Sequence, residues 1–213
     1  MTELFTEQLD QTIQIGDGAY FLRGFALPVA NVICTMLMQH FKDYPPQQMM
    51  TPMGYPMSVK TTSFGKFGWV GTPRGYGYSE VDLITKKAWS PIPEAFLQLA
   101  QGVAKEAGYS DFVPDTCLVN VYAIGTKMGL HRDQDELDFS QPIVSVSFGI
   151  PATFLFGGAK RGDKTIKIPL THGDVVVWGG KSRLHYHAIK PLKPNDHEVL
   201  GPCRINLTFR KAR

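Results

Sequence analysis

With 213 residues, 43% of them hydrophobic and 19% charged, the chain is long enough for one packed domain and too apolar to be disordered. A formal charge of +3 admits a modest basic groove for phosphates without requiring one. The 21 glycines and 15 prolines favour short strands and many turns over a helix bundle, and three dispersed cysteines exclude a disulfide framework or a CxxC zinc site.

The opening residues, Met1 to Gln8, lack the basic start and apolar run of a secretion signal. No later stretch is apolar for long enough to cross a bilayer. With Cys34, Cys117 and Cys203 read as reduced thiols, a soluble cytoplasmic protein with no membrane partner is expected. From Val29 to His40, Val32, Ile33, Met36 and Leu37 recur at helical spacing behind Pro28, which suits a first turn. Between about Pro45 and Pro91, Met49, Met50, Met53, Met57, Phe64, Phe67, Trp69, Tyr76, Tyr78 and Trp89 are set among Gly, Pro, Thr and Ser. That segment reads first as a loop-rich satellite core and, alternatively, as a mobile surface that grips a flat ligand. A second helix opens at Pro93, carries the stripe Phe96, Leu97, Ala100, Val103, Ala104 and Ala107, and ends at Gly108.

From Cys117 onward the pattern is short strands, at 116–123, 142–149, 153–157, 165–170, 174–178, 184–189 and 203–210. Seven such strands suggest a β-sandwich, jelly roll or barrel, with the two helices on the outside of one sheet. A single domain over 1–213 follows, with residues 1–90 an N-terminal extension and 91–213 the helix-plus-β core.

Two motifs within that core carry chemistry. His131 and Asp133 are two apart, so on extended backbone an imidazole and a carboxylate leave one face. A third ligand is available from His185 or His187, and two His with one carboxylate leave open positions that favour non-haem Fe(II). In the last strand, Arg204, Asn206, Thr208 and Arg210 alternate strictly with Ile205, Leu207 and Phe209. The arginines stand about 20 Å apart on a straight strand, and their long side chains can converge on the two ends of a dicarboxylate. Asn120 and Tyr122 share one face of the strand leading to His131 and offer further hydrogen bonds.

The set Asn120-x-Tyr122, His131-x-Asp133, His187 and Arg204-x-Asn206-x-Thr208-x-Arg210 resembles the AlkB family of DNA and RNA repair dioxygenases. The resemblance runs almost continuously from Pro114 to Arg210, and Gly65–Trp69 and Gly75–Tyr78 are similar to the family's nucleotide-recognition lid. It implies a mainly β fold (α+β), a double-stranded β-helix or jelly roll flanked by N-terminal helices and that lid. It also implies Fe(II) on His131, Asp133 and His187, with His185 an extra imidazole. Arg204 and Arg210 would hold 2-oxoglutarate, helped by Asn120, Tyr122 and Asn206, with O2 as the oxidant. Trp69 and His131 would sandwich a flipped base, Tyr76, Gly77 and Tyr78 would form the lid, Asp135 would face the exocyclic nitrogen and Arg161 the rim. Gly129 and Gln134 leave the fine base preference open.

The activity so implied is oxidative demethylation of 1-methyladenine- and 3-methylcytosine-type lesions in DNA, preferentially single-stranded, and in RNA. Formaldehyde, succinate and CO2 are released by an enzyme expected to be a monomer. A protein or small-molecule substrate for the same iron chemistry, or a non-catalytic jelly-roll module, are the competing readings. The first lacks a use for an aromatic lid with Trp69 and Tyr76, and the second requires a broken metal or arginine set.

Overall fold

The computed structural model describes residues 12–51 and 53–213, so Met1–Gln8 lie outside the described residues. A hairpin of β1 (Thr12–Gly16) and β2 (Ala19–Leu22) leads through a 3-10 turn into α1 (Ala30–Asp43). Strands β3 (Gln47–Met50), β4 (Pro56–Gly65), β5 (Gly68–Thr72) and β6 (Gly75–Ser79) precede α2 (Glu94–Glu106). Then follow β7 (Thr116–Ala123), β8 (Met128–His131), β9 (Ile143–Gly149) and β10 (Ala152–Phe156). The chain closes with β11 (Ile166–Leu170), β12 (Val175–Trp178), β13 (His187–Ile189) and β14 (Cys203–Arg210). Among these residues no helix is long and apolar enough to cross a membrane.

Alternation explains the layers. In the large antiparallel sheet, ordered β1-β2-β12-β9-β14-β7-β4-β3, successive side chains leave opposite faces. One set, including Val144, Val146, Val175, Val177, Ile205, Leu207 and Phe209, packs with Ile33, Leu37, Phe96 and Val103 of the two helices. The other set faces a smaller sheet, ordered β11-β10-β13-β8, and joins Phe154, Phe156, Trp178 and Ile189 in a second core. Two antiparallel sheets with helices on one outer face make the jelly-roll core that the strand pattern implies. The apolar residues of β14 pack under the helices rather than between the sheets. The polar residues of the same strand therefore fill the space between them.

The strands expected at 116–123 and 203–210 have those limits, and they pair antiparallel along their whole length. The strand expected over 184–189 is confined to His187–Ile189. A 3-10 turn over Gly180–Ser182 continues into a bond from the His185 N–H to the Ser182 carbonyl, which keeps His185 off the ladder. The turn-rich stretch 45–91 contains β3 to β6, and β4 is an inner strand of the large sheet with Thr61, Thr62 and Ser63 buried. The hairpin β5–β6 is a separate two-stranded sheet whose return at Gly75 has φ +132, a conformation that favours glycine. All three cysteines are free thiols, and burial pushes the Cys34 thiol up to about 11.

On the helical side, His40 of α1 lies 3.4 Å from Thr62 Oγ1 and stacks on Phe64 at 3.8 Å. Burial lowers its pKa to about 4, against a smaller opposing pull from Asp43. The unfolded chain therefore takes up this proton near 6.5 while the folded one does not, so stability falls as pH drops through that window. His40→Gln should remove up to about 2 kcal/mol of the loss between pH 7 and pH 5, read from urea unfolding at both values.

Candidate active site

Between the sheets lies a cavity of about 550 Å³ lined by residues of both. Its buried end is the polar face of β14. Arg204, Asn206, Thr208 and Arg210 are between 1% and 6% exposed, so each needs a partner inside the protein or a ligand. Register supplies some: Asn206 lies opposite Asn120 on β7 and Ser147 on β9, and Arg204 lies opposite Tyr122. Asn120 Nδ2 donates to Asn206 Oδ1 at 3.2 Å, Asn206 Nδ2 donates to Ser145 Oγ at 2.8 Å, and Arg204 Nη2 donates to Ser147 Oγ at 2.9 Å. The Arg204 guanidinium also sits 4.8 Å from the centre of the Tyr122 ring.

Several atoms remain unpartnered: Arg204 Nε and Nη1, Arg210 Nη1 and Asn120 Oδ1. Two buried guanidiniums with free N–H groups on one cavity wall are matched by an anion with two carboxylates, each able to accept bidentately.

The other wall is made by β8 and β13, which place His131 directly opposite His187 with ring centres 4.4 Å apart. His131 Nδ1 lies 2.8 Å from the Gly129 carbonyl and His187 Nδ1 lies 3.0 Å from that of His185. Both contacts put the proton on Nδ1 and leave the Nε2 lone pair free to coordinate. Asp133, just beyond β8, brings Oδ1 to 3.8 Å from His131 Nε2 and Oδ2 to 3.9 Å from His187 Nε2. Among the described residues this is the one group whose donor atoms converge, all within 4.8 Å of one another. Two imidazoles and a carboxylate, with their outer nitrogens already satisfied, fit non-haem iron.

Electrostatics keep Asp133 and His187 in their ligating forms. Burial pushes Asp133 up, but Arg210, then His187 and His131, outweigh it and hold the carboxyl well below the usual range. Arg210 reaches Asp133 Oδ2 with Nη2 at 2.8 Å and Nε at 3.1 Å. Burial, reinforced by the nearby His131, lowers His187 to about 4, so it is neutral at pH 7.

The exposed end is closed by the hairpin β5–β6. Trp69 stacks on Tyr76 with centres 4.8 Å apart, and Trp69 Nε1 donates to Asp135 Oδ2 at 2.9 Å. Added side-chain bulk at Gly68 would enter the Trp89 indole, so glycine there lets the hairpin seat on that ring. Arg161 lines the rim, donating to the Leu130 carbonyl at 2.9 Å and lying over the Tyr186 ring at 5.9 Å.

Thus Trp69, Tyr76, Asn120, Tyr122, His131, Asp133, Asp135, Arg161, His187, Arg204, Asn206 and Arg210 all line one cavity. Three candidates do not. Gly77 pairs with Val70 on the other face of the hairpin, the Tyr78 hydroxyl turns to Glu136 at 2.5 Å, and His185 packs on Phe156. The sequence reading missed Glu136 and Arg183. Glu136 Oε2 accepts from Arg183 Nη2 at 3.0 Å, and Arg183 Nη1 donates to the Asp133 carbonyl at 3.0 Å. Neither residue sits in a periodic pattern. The only local signal for Glu136 is its place in the acidic run after Asp133.

Residues 18–210 match the 2OG-Fe(II) oxygenase superfamily. The chain is 48% identical over 212 residues to "Alpha-ketoglutarate-dependent dioxygenase AlkB" of Escherichia coli (strain K12), covering 100% of this chain and 98% of that protein. It is 36% identical over 116 residues to "Nucleic acid dioxygenase ALKBH1" of Mus musculus, covering 54% of this chain and 30% of that protein. A solved structure described as "The structure of OsALKBH1" superposes with a TM-score of 0.83 at 27% identity, over 94% of this chain and 100% of that one.

The geometry separates the two strand histidines. His187→Ala should weaken Mn(II) binding by roughly two orders of magnitude, whereas His185→Phe should leave it within about twofold, both measured by calorimetric titration.

Proposed function

The chain belongs to the AlkB family of the 2OG-Fe(II) oxygenase superfamily, and we propose that it demethylates 1-methyladenine- and 3-methylcytosine-type bases through the residues gathered in this cavity. As a member of that family it is an Fe(II)- and 2-oxoglutarate-dependent dioxygenase that consumes O2 and repairs nucleic acid by oxidative dealkylation. The carrying observation is one cavity lined by a His-Asp-His cluster, by two buried arginines and by a stacked Trp-Tyr pair.

In this reading His131, Asp133 and His187 hold the iron. Arg204 and Arg210 take the two carboxylates of 2-oxoglutarate, with Asn120, Tyr122 and Asn206 hydrogen-bonding along it. When bound, iron, 2-oxoglutarate and O2 supply the oxidation of the N-methyl carbon, which leaves as formaldehyde while succinate and CO2 form. The protein binds, orients and excludes water. Trp69, Tyr76 and His131 present ring faces to a planar base, and a cationic lesion gains further from those faces and from the Asp135 carboxylate. Asp135 Oδ2 is occupied by the Trp69 indole, which leaves Oδ1 to accept from an exocyclic amine. Arg161 stands at the rim, where a backbone phosphate passes.

Methylation on the pairing edge weakens the base's hold in a duplex, and a single strand offers less resistance still. Single-stranded DNA is therefore the preferred substrate of this proposal, with single-stranded RNA also accepted. The site is complete within one chain, which supports a monomer acting as one dioxygenase domain. Three free thiols suit the cytoplasm.

A single-stranded oligonucleotide with one 1-methyladenine, incubated with Fe(II), 2-oxoglutarate and ascorbate, should lose the mass of one methylene. The loss should require 2-oxoglutarate and vanish in Asp133→Ala. Trp69→Ala should raise KM for the oligonucleotide by roughly tenfold, the worth of one base–aromatic stack. Succinate formation with an unchanged oligonucleotide would leave the iron chemistry standing and refute the substrate.

A further inference from the structure

The hairpin β5–β6 forms no ladder with either of the other two sheets, so beyond the chain entering from β4, bonded from the Lys66 N–H to the Asp115 carbonyl, side-chain contacts set its position. An isolated two-stranded hairpin is marginal in water, which makes each anchor count. Trp69 and Tyr78 lie opposite each other on one face of it, and consecutive carboxylates clasp them, Asp135 on the Trp69 indole and Glu136 on the Tyr78 hydroxyl.

Glu136 is only 5% exposed, and it does more than hold a tyrosine. Its Oε1, which accepts from Tyr78, is also 3.5 Å from Arg210 Nε, and its Oε2 is bound by Arg183. Arg210 in turn grips Asp133, and Arg183 grips the Asp133 backbone and the Gln141 carbonyl. The Arg213 guanidinium lies 5.5 Å from the Tyr78 ring centre and donates to the Asp135 carbonyl at 3.2 Å. The hairpin thus reaches the buried guanidinium assigned above to 2-oxoglutarate through one shared carboxylate oxygen.

We propose that Glu136 is a positioning residue that couples the base-gripping hairpin to the 2-oxoglutarate site, through Tyr78 on one side and Arg210 on the other. The inference rests on the assignment of Arg210 to 2-oxoglutarate. With Tyr78 in place, Oε1 is fixed and Arg210 keeps its orientation, with its Nη1 buried and unpartnered beside the cavity. Without Tyr78, Oε1 loses its fixed position and Arg210 loses a constraint. Coupling between sites is reciprocal, so 2-oxoglutarate must tighten the hairpin by the factor by which the hairpin tightens 2-oxoglutarate.

The test uses Mn(II)-loaded full-length protein, in which 2-oxoglutarate binds without turnover, and needs no nucleic acid. Its dissociation constant is measured for wild type, Tyr78→Phe, Glu136→Gln and the double variant, alongside hydrogen exchange of residues 68–79 with and without 2-oxoglutarate. Tyr78→Phe should weaken 2-oxoglutarate about fivefold and remove most of its protection of the hairpin, with the double variant no worse than Glu136→Gln alone. An Arg210→Lys control should bind 2-oxoglutarate far more weakly than any of these. If that control binds normally, the assignment of Arg210 falls and the relay with it. If it binds weakly while Tyr78→Phe keeps both wild-type affinity and wild-type hairpin protection, the relay alone is refuted. Should Glu136→Gln fail to fold, Tyr78→Phe carries both readouts by itself.

Discussion

Two of the three buried guanidiniums of this fold, those of Arg204 and Arg210, line the cavity, and a buried cation without compensation costs on the order of several kcal/mol. Much of the site can be understood as the answer to that cost. Arg210 is answered with charge: Asp133 at 2.8 Å and Glu136 at 3.5 Å. Arg204 has no carboxylate among its named contacts. It has one hydroxyl, that of Ser147, and the face of Tyr122, which leaves two of its nitrogens without a partner. In the proposed function a dicarboxylate cosubstrate would supply the missing anion at Arg204 and a partner for Nη1 of Arg210, which turns an arrangement that is expensive alone into a selective receptor when filled.

The same economy orders the metal cluster. Asp133 serves three neighbours, Arg210 on one side and the two imidazoles on the other, and Arg210 above all keeps it ionised. Burial holds His187 neutral, while carbonyls on Nδ1 of both histidines fix the rings with Nε2 toward Asp133. Within four residues the chain places Asp133 beside the two imidazoles, Asp135 on the Trp69 indole and Glu136 on the Tyr78 hydroxyl. One short loop therefore sets the distance between the His-Asp-His cluster and the hairpin β5–β6.

How legible this was depended on whether a signal was local. The β14 alternation could be read directly, because a strand with period 2 and one buried polar face has no other register available. Asn120 and Tyr122 could be read for the same reason. The assignment of His187 over His185 rested on resemblance, and its physical basis appears only in three dimensions, where a 3-10 turn withholds His185 from the ladder. Strands β3 to β6 were hidden because Met, Gly and Thr blur alternation, and β4 buries its Thr and Ser on both faces of the sheet. Four-residue β8 is too short to show a period, yet it positions His131. Glu136 and Arg183 were illegible in principle. Their mutual contact spans 47 residues, and the acidic run around Glu136 does not specify its partner.

The central claim is that one cavity brings iron, 2-oxoglutarate and a methylated base together on the residues named. A crystal structure of the chain with Mn(II), 2-oxoglutarate and a 1-methyladenine oligonucleotide tests it most directly. The account predicts one ion on His131 Nε2, Asp133 and His187 Nε2, one carboxylate of 2-oxoglutarate on each of Arg204 and Arg210, and the base between Trp69 and His131. An ion ligated by His185, a cosubstrate anchored away from the two arginines, or a base bound outside the hairpin would contradict it.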